Sequence, residues 1–175
     1  SSFSQSGAKL PEVDKSPMDV SYYPGNYPIL KIQNKATEPL LARVLYSRPQ
    51  RHGRKVFGEL VEYGKVWRLG ANEATEITLT RDMTIMDQVV KAGTYSLFTI
   101  PGEDTWTIIL NTDLGLWGSY NYNPKLDLMR FAVPTTVNDV NFEAFTIIFD
   151  QRNELADLLI MWDDVKLSLP LKFLN

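Results

Sequence analysis

Short runs of alternating apolar and polar residues cover most of the chain, and polar turns separate them. Residues 75–80 (TEITLT) show the pattern most clearly, with Ile77 and Leu79 on one face and Glu76 and Thr78 on the other. The predicted strands are 28–33, 40–46, 75–80, 83–86, 94–100, 105–111, 128–133, 142–150, 155–162 and 165–171. Many short antiparallel strands and almost no helix predict an all-β fold, an antiparallel β-sandwich or jelly-roll-like architecture.

The length of 175 residues predicts one all-β domain over 16–175, preceded by a flexible polar lead-in over 1–15. Residues 16–27 carry three tyrosines and are expected to lie along the domain, where they cover a sheet edge. Turns are predicted at 151–154 and at Asp163–Asp164.

One long segment, 46–74, has no clean strand or helix period, and we call it the signature segment. It is too rich in apolar and aromatic residues to be disordered. The spacing of its apolar residues predicts a short helix or 3₁₀ turn at 55–61, and Gly64 and Gly70 indicate positive φ or close backbone approach. A second irregular segment, 111–124, is also aromatic.

The arginines of the signature segment allow two interpretations. In the first, Arg54 or Arg68 pairs with Glu62 or Glu73 and fastens the segment to the sheet. In the second, the arginines form the rim of a pocket for an anionic or polyhydroxyl ligand, on which aromatic rings stack. The candidate ligand-binding residues are Arg48, Arg54, Tyr63, Trp67, Arg68, Asn72, Glu73, Trp117 and Tyr122.

Composition excludes several classes of site. The chain has no cysteine and one histidine, His52, so disulfides, thiolate metal sites and histidine-rich metal sites are ruled out. His52 lies in a polar turn and is expected to be solvated. We predict no metal and no cofactor. The net charge of −3 argues against nucleic acid as a partner, and no apolar run is long enough to span a membrane.

Three functional hypotheses remain open. The favoured one is a binding domain for a small polar or anionic molecule, a glycan or a protein partner. The alternative is a hydrolase acting on cell-envelope carbohydrate, with Glu62 and Glu73 as the acid and base, because glycoside hydrolysis needs two facing carboxylates. The third is a structural or interaction protein without a pocket, which would show a flat aromatic patch near residues 22–27 and self-associate.

Four stretches of the chain resemble a bacterial family described as a domain of unknown function, family 2911. They are SRPQRHGRKVFGELVEYGKVWRLGANEATEIT, AGTYSLFTIPGEDTWTIILN, WGSYNYNPKLDLMR and the C-terminal FTIIFDQ with LLIMWDDVKLSLPL. The resemblance implies a secreted all-β domain that usually follows a signal peptide, and it brings no catalytic residue. Because the chain starts without methionine, we expect a periplasmic or secreted protein from which a signal or membrane-anchor segment has been removed.

Overall fold

The structure is a computed structural model that describes residues 7–152 and 155–174. Its strands are β1 (Met18–Tyr23), β2 (Ala42–Ser47), β3 (Thr75–Leu79), β4 (Met83–Ile85), β5 (Gln88–Val90), β6 (Gly93–Ile100), β7 (Thr105–Asn111), β8 (Asp127–Pro134), β9 (Thr136–Arg152) and β10 (Leu155–Phe173). One α-helix, α1, covers Tyr27–Ile32, and a 3₁₀ turn covers Pro124–Leu126.

The strands form two antiparallel sheets. The larger has the order β1-β2-β3-β6-β7-β8, and the smaller has the order β5-β4-β10-β9. Apolar side chains from both sheets share one buried core, which includes Ile77 and Trp106 from the larger sheet and Leu158 and Leu171 from the smaller. The prediction of an all-β antiparallel sandwich is therefore confirmed.

Alternation along the strands decides which side chains enter this core. In β7, Trp106, Ile108 and Leu110 are buried between the sheets. The intervening Ile109 is buried on the opposite face, where it packs with Phe98 in a second, smaller cluster. The second irregular segment covers that outer face, so the larger sheet is buried on both sides at its centre.

Three local predictions were wrong. Residues 28–33 were predicted as a strand but lie mostly in α1, where Pro28 occupies an initial position that needs no N–H donor. Residues 55–61 form a turn rather than a helix, because Gly58 has φ +93°. No turn interrupts the chain at Asp163–Asp164, since β10 continues through them.

Asp163 instead forms an irregularity within β10. The register of pairing with β9 shifts on both sides of it, and its φ is +54°. Aspartate tolerates this left-handed conformation better than most residues. The remaining predicted turn, at 151–154, falls partly outside the described residues, and β9 extends to Arg152.

The N-terminal part of the domain follows the sheet edge. Residues 16–27 were expected to lie along the domain, and β1 forms there as the edge strand next to β2. Tyr23 stacks on Phe173 with ring centroids 5.6 Å apart.

Residues 7–14 are exposed and form no helix or strand, whereas 1–6 lie outside the described residues. Within the described ranges, no helix has the length and apolar character needed to span a bilayer.

Candidate functional site

The signature segment is held to the sandwich by aromatic packing. Phe57 and Trp67 join Trp106, Phe145 and Trp162 in a buried cluster. The Trp67 ring lies parallel to the Trp162 ring, with centroids 6.0 Å apart, and Phe145 packs against it at 5.2 Å. The backbone of Trp67 also exchanges two hydrogen bonds with that of Thr99 in β6. This packing and these hydrogen bonds hold a segment without regular secondary structure against the sandwich.

Arg48 links the two sheets at the start of the signature segment. Its Nε donates to the Phe145 carbonyl at 3.0 Å, and its Nη2 donates to the Thr146 hydroxyl at 2.9 Å, both on β9. Its Nη1 forms an ion pair with Asp19 on β1 at 3.1 Å. All three nitrogens of the guanidinium are therefore engaged within the protein.

Arg51 and Arg54 stabilise the turn that follows. Arg51 pairs with the buried carboxylate of Asp163 at 3.2 Å, and the second oxygen of Asp163 accepts the Val56 N–H at 3.2 Å. Arg54 donates from Nε to the Arg51 carbonyl and from Nη2 to the Gln50 carbonyl. His52, between them, is exposed as predicted. In these contacts the arginine side chains mainly provide hydrogen-bond donors for the backbone carbonyls of the turn, and they thereby fix its conformation.

A cleft of about 560 Å³ opens along the signature segment. Its volume is in the range of small-molecule sites. Four of the predicted site residues line it, namely Arg54, Trp67, Arg68 and Asn72, and so does the proposed acid Glu62. The other lining residues are Ser16, Pro49, Leu60, Val61, Lys65, Val66, Gly70, Ala71, Ser119 and Trp162.

Arg68 differs from the other arginines of the signature segment. It is half-buried, its Nε is shielded from solvent without a hydrogen-bond partner, and no described carboxylate forms an ion pair with it. Burial lowers the pKa of its guanidinium from the ordinary value, and the nearby Tyr120 opposes that shift. The clamp hypothesis, in which Arg54 or Arg68 pairs with Glu62 or Glu73, is therefore wrong for both arginines, since Arg54 donates to backbone carbonyls and Glu62 pairs with Lys65.

The acidic residues near the cleft do not form a facing pair. Glu62 is exposed and pairs with Lys65 at 3.0 Å. Glu73 is exposed and is not among the residues that line the cleft. Among the described residues, no group of three histidine, aspartate or glutamate side chains is placed to hold a metal ion.

The cleft lining does not include the predicted site residues Arg48, Tyr63, Trp117 and Tyr122. Tyr63 packs over Gly58, and Trp117 is 59% exposed. The Tyr122 hydroxyl donates to the Asp127 carboxylate, which also accepts from Arg130. The pKa of Tyr122 is raised mainly by burial and secondly by the hydrogen bond of its hydroxyl to Asp127. Tyr122 therefore attaches the second irregular segment to the start of β8, and its hydroxyl is engaged within the protein.

Two backbone hydrogen bonds attach the second irregular segment beside the cleft. The Ala74 N–H donates to the Leu116 carbonyl at 2.8 Å, and the Gly118 N–H donates to the Asn72 carbonyl at 2.8 Å. Ser119 thereby reaches the cleft. The sequence contained no signal for this contact, because it depends on the tertiary docking of two loops. Lys65 was also not predicted as a site residue, although the sequence places it close to the aromatic residues of the signature segment.

Comparison with known proteins gives one match. The family model described as "Protein of unknown function (DUF2911)" matches residues 29–171, which include nearly all of the sandwich and both irregular segments. No curated protein and no solved structure shows significant similarity to the chain. Because the match extends over well more than half of the sequence, the chain belongs to the DUF2911 family.

Proposed function

We propose that this protein is an extracytoplasmic binding domain that takes a small anionic ligand in the signature-segment cleft, with Arg68 as the residue that binds its charge. The observation that carries the proposal is the unpaired, half-buried guanidinium of Arg68 on the cleft wall. Removing a charge from water without a partner costs several kcal/mol, so proteins pair such groups with an opposite charge. A bound anion would supply that charge.

The charges around the cleft support an anion rather than a cation. Arg54, Lys65 and Arg68 line it, against the single carboxylate of Glu62. Lys65 and Glu62 neutralise each other at the rim, and Arg54 is held by backbone carbonyls. Arg54 and Arg68 therefore keep their positive charges without a carboxylate partner among the described residues. Only Arg68 also lacks backbone acceptors, and its planar fork of donors suits a carboxylate or phosphate.

A hydrolase needs more than the cleft supplies. Glu62 is the one carboxylate among the described lining residues, and Lys65 holds it. Acid–base cleavage of a glycosidic bond requires a second carboxylate at a fixed distance across the same cleft. No observation favours this alternative, so we propose binding without turnover.

The proposed location, periplasmic or secreted, accords with the lack of cysteine, since the chain can fold without forming disulfides. Fractionation of bacterial cells that express the complete gene tests it. Recovery of the protein in the periplasmic or culture fraction is expected, and recovery in the cytoplasm alone would contradict it.

We expect Arg68→Met to separate binding from folding. Methionine keeps much of the arginine stem and removes an unpaired charge, so the melting temperature without ligand should be equal to or above that of the wild type. A bound anion at a hundred times its Kd stabilises by about 2.7 kcal/mol. For a domain of this size, each kcal/mol moves the midpoint by roughly 2–4 °C.

A thermal-shift panel of acetate, citrate, sulfate, phosphate and galacturonate measures both effects. Arg43→Met is the matched control, because Arg43 is an exposed arginine on β2 outside the cleft. An anion should raise the midpoint of the wild type and the control but not that of Arg68→Met. The proposal is wrong if no anion raises the wild-type midpoint, or if one raises all three midpoints equally.

A further inference from the structure

An exposed aromatic ring stands beside Arg68 and takes no part in the core. Tyr120 is 85% exposed. A Cβ built on Gly118 would lie 3.0 Å from the Tyr120 ring and 3.9 Å from Nη1 of Arg68, so the two side chains flank the same glycine. Gly118 has φ +60°, a conformation that suits glycine. The glycine therefore brings a flat ring and a guanidinium together.

The backbone that carries Tyr120 is fixed on both sides. Before it, the Gly118 N–H is bonded to the Asn72 carbonyl. After it, Tyr122 is bonded to Asp127 through its hydroxyl and packs on Phe98 with ring centroids 4.9 Å apart. A large aromatic side chain left exposed on a well-anchored backbone resembles the platforms on which proteins stack flat ligands.

The neutral polar groups of the cleft indicate what else the ligand carries. Ser16, Asn72 and Ser119 line it with two hydroxyls and an amide, which hydrogen-bond as both donors and acceptors. Such groups match a ligand with several hydroxyls. Arg68 is the one lining arginine whose guanidinium donates to no described carbonyl or carboxylate, and its planar fork of donors matches a single carboxylate group.

Building on the proposed function, we infer that the ligand is an acidic saccharide. The carboxylate of a hexuronic acid unit binds Arg68, its ring lies on Tyr120, and its hydroxyls bond to Asn72 and Ser119. This assignment explains in one ligand the unpaired arginine, the exposed tyrosine and the neutral polar lining. It makes Tyr120 a specificity-determining residue of the site.

Isothermal titration calorimetry with three probes tests the assignment. The probes are a trisaccharide of galacturonic acid, the corresponding trisaccharide of galactose, and acetate. Wild type should bind the acidic trisaccharide more tightly than either of the others, and Arg68→Met should lose that binding. Tyr120→Ala should weaken it about three- to tenfold, the loss expected for one stacked ring.

The control variant is Tyr120→Phe, which keeps the ring and should retain most of the affinity. Tyr120→Ala should weaken the binding of acetate less than the binding of the acidic trisaccharide, since acetate has no ring to stack. If acetate or phosphate binds through Arg68 but the acidic trisaccharide binds no tighter, or if Tyr120→Ala has no effect on it, the saccharide assignment is overturned and the proposed function stands. If the galactose trisaccharide binds equally well, the assignment is also overturned. If no anion binds at all, both are overturned.

Discussion

Replacing Trp67 with alanine should lower the free energy of unfolding by about 3–5 kcal/mol, the range measured for removing a large aromatic side chain from a core. Trp67 is 8% exposed and packs against Phe57, Trp106, Phe145 and Trp162. Its indole N–H also donates to the Gly70 carbonyl at 3.2 Å. The cavity would lie where both sheets and the signature segment meet, so the structure has little room to relax around it.

Urea denaturation followed by circular dichroism measures this loss. Trp117→Ala is the matched control, because it removes the same side chain from a position that is 59% exposed. We expect that control to change the free energy of unfolding by less than about 1 kcal/mol. Equal losses in the two variants would mean that Trp67 does not contribute more to the core than a surface tryptophan.

Asp163→Ala should be the second most damaging change, with a loss of about 3 kcal/mol. The carboxylate of Asp163 is buried, pairs with Arg51 and accepts the Val56 N–H. Alanine would leave the Val56 N–H without its acceptor, and Arg51 would keep only the Arg54 carbonyl, which accepts from its Nε at 3.0 Å. It would also place a residue less tolerant of positive φ where φ is +54°. The midpoint of thermal unfolding should fall by roughly 6–12 °C.

Two variants resolve the cause of this loss. Asp164→Ala removes an identical, exposed side chain from the next position, and it should lie within about 0.5 kcal/mol of the wild type. Asp163→Asn keeps an oxygen acceptor and the tolerance of positive φ but removes the charge, so its stability should fall between the wild type and Asp163→Ala. If Asp164→Ala proved as unstable as Asp163→Ala, the ion pair with Arg51 would not be the reason.

The sandwich was predictable because apolar and polar residues alternate with a period of two along its strands, and this alternation indicates which side chains are buried. In β3 the buried positions Thr75, Ile77 and Leu79 are those that the pattern placed on one face. The β6–β7 hairpin was equally clear, since polar turn residues separate two apolar runs. Such local signals need no knowledge of the tertiary fold.

The errors occurred where local signals conflict or end. An apolar run as short as residues 28–33 does not distinguish a strand from a helix. The proline at its start favours the helix α1. Two adjacent aspartates are normally a turn signal. Only the distant partners Arg51 and Val56 make it favourable to bury Asp163 within a strand instead. Contacts between residues more than a hundred positions apart leave no local pattern.

The candidate site was predictable as a region but not as a set of contacts. The sequence drew attention to the arginine-rich signature segment, and Arg68 and Asn72 of that segment line the cleft. Composition alone could not separate Arg48, which is fully engaged within the protein, from Arg68, which is not. That difference depends on which carbonyls and carboxylates the fold brings within hydrogen-bonding distance of each guanidinium.

The position of β10 in the smaller sheet governs the order in which the chain can fold during synthesis. Within the described residues, β10 is the only strand that joins β4 to β9, yet it follows both of them along the chain. Its Leu167, Leu169 and Leu171 belong to the shared core. A ribosome therefore releases the larger sheet long before the strand that completes its cover, and the sandwich closes only after residues 155–173 have emerged. A transcript that ends before this strand would encode a chain that cannot close the sandwich.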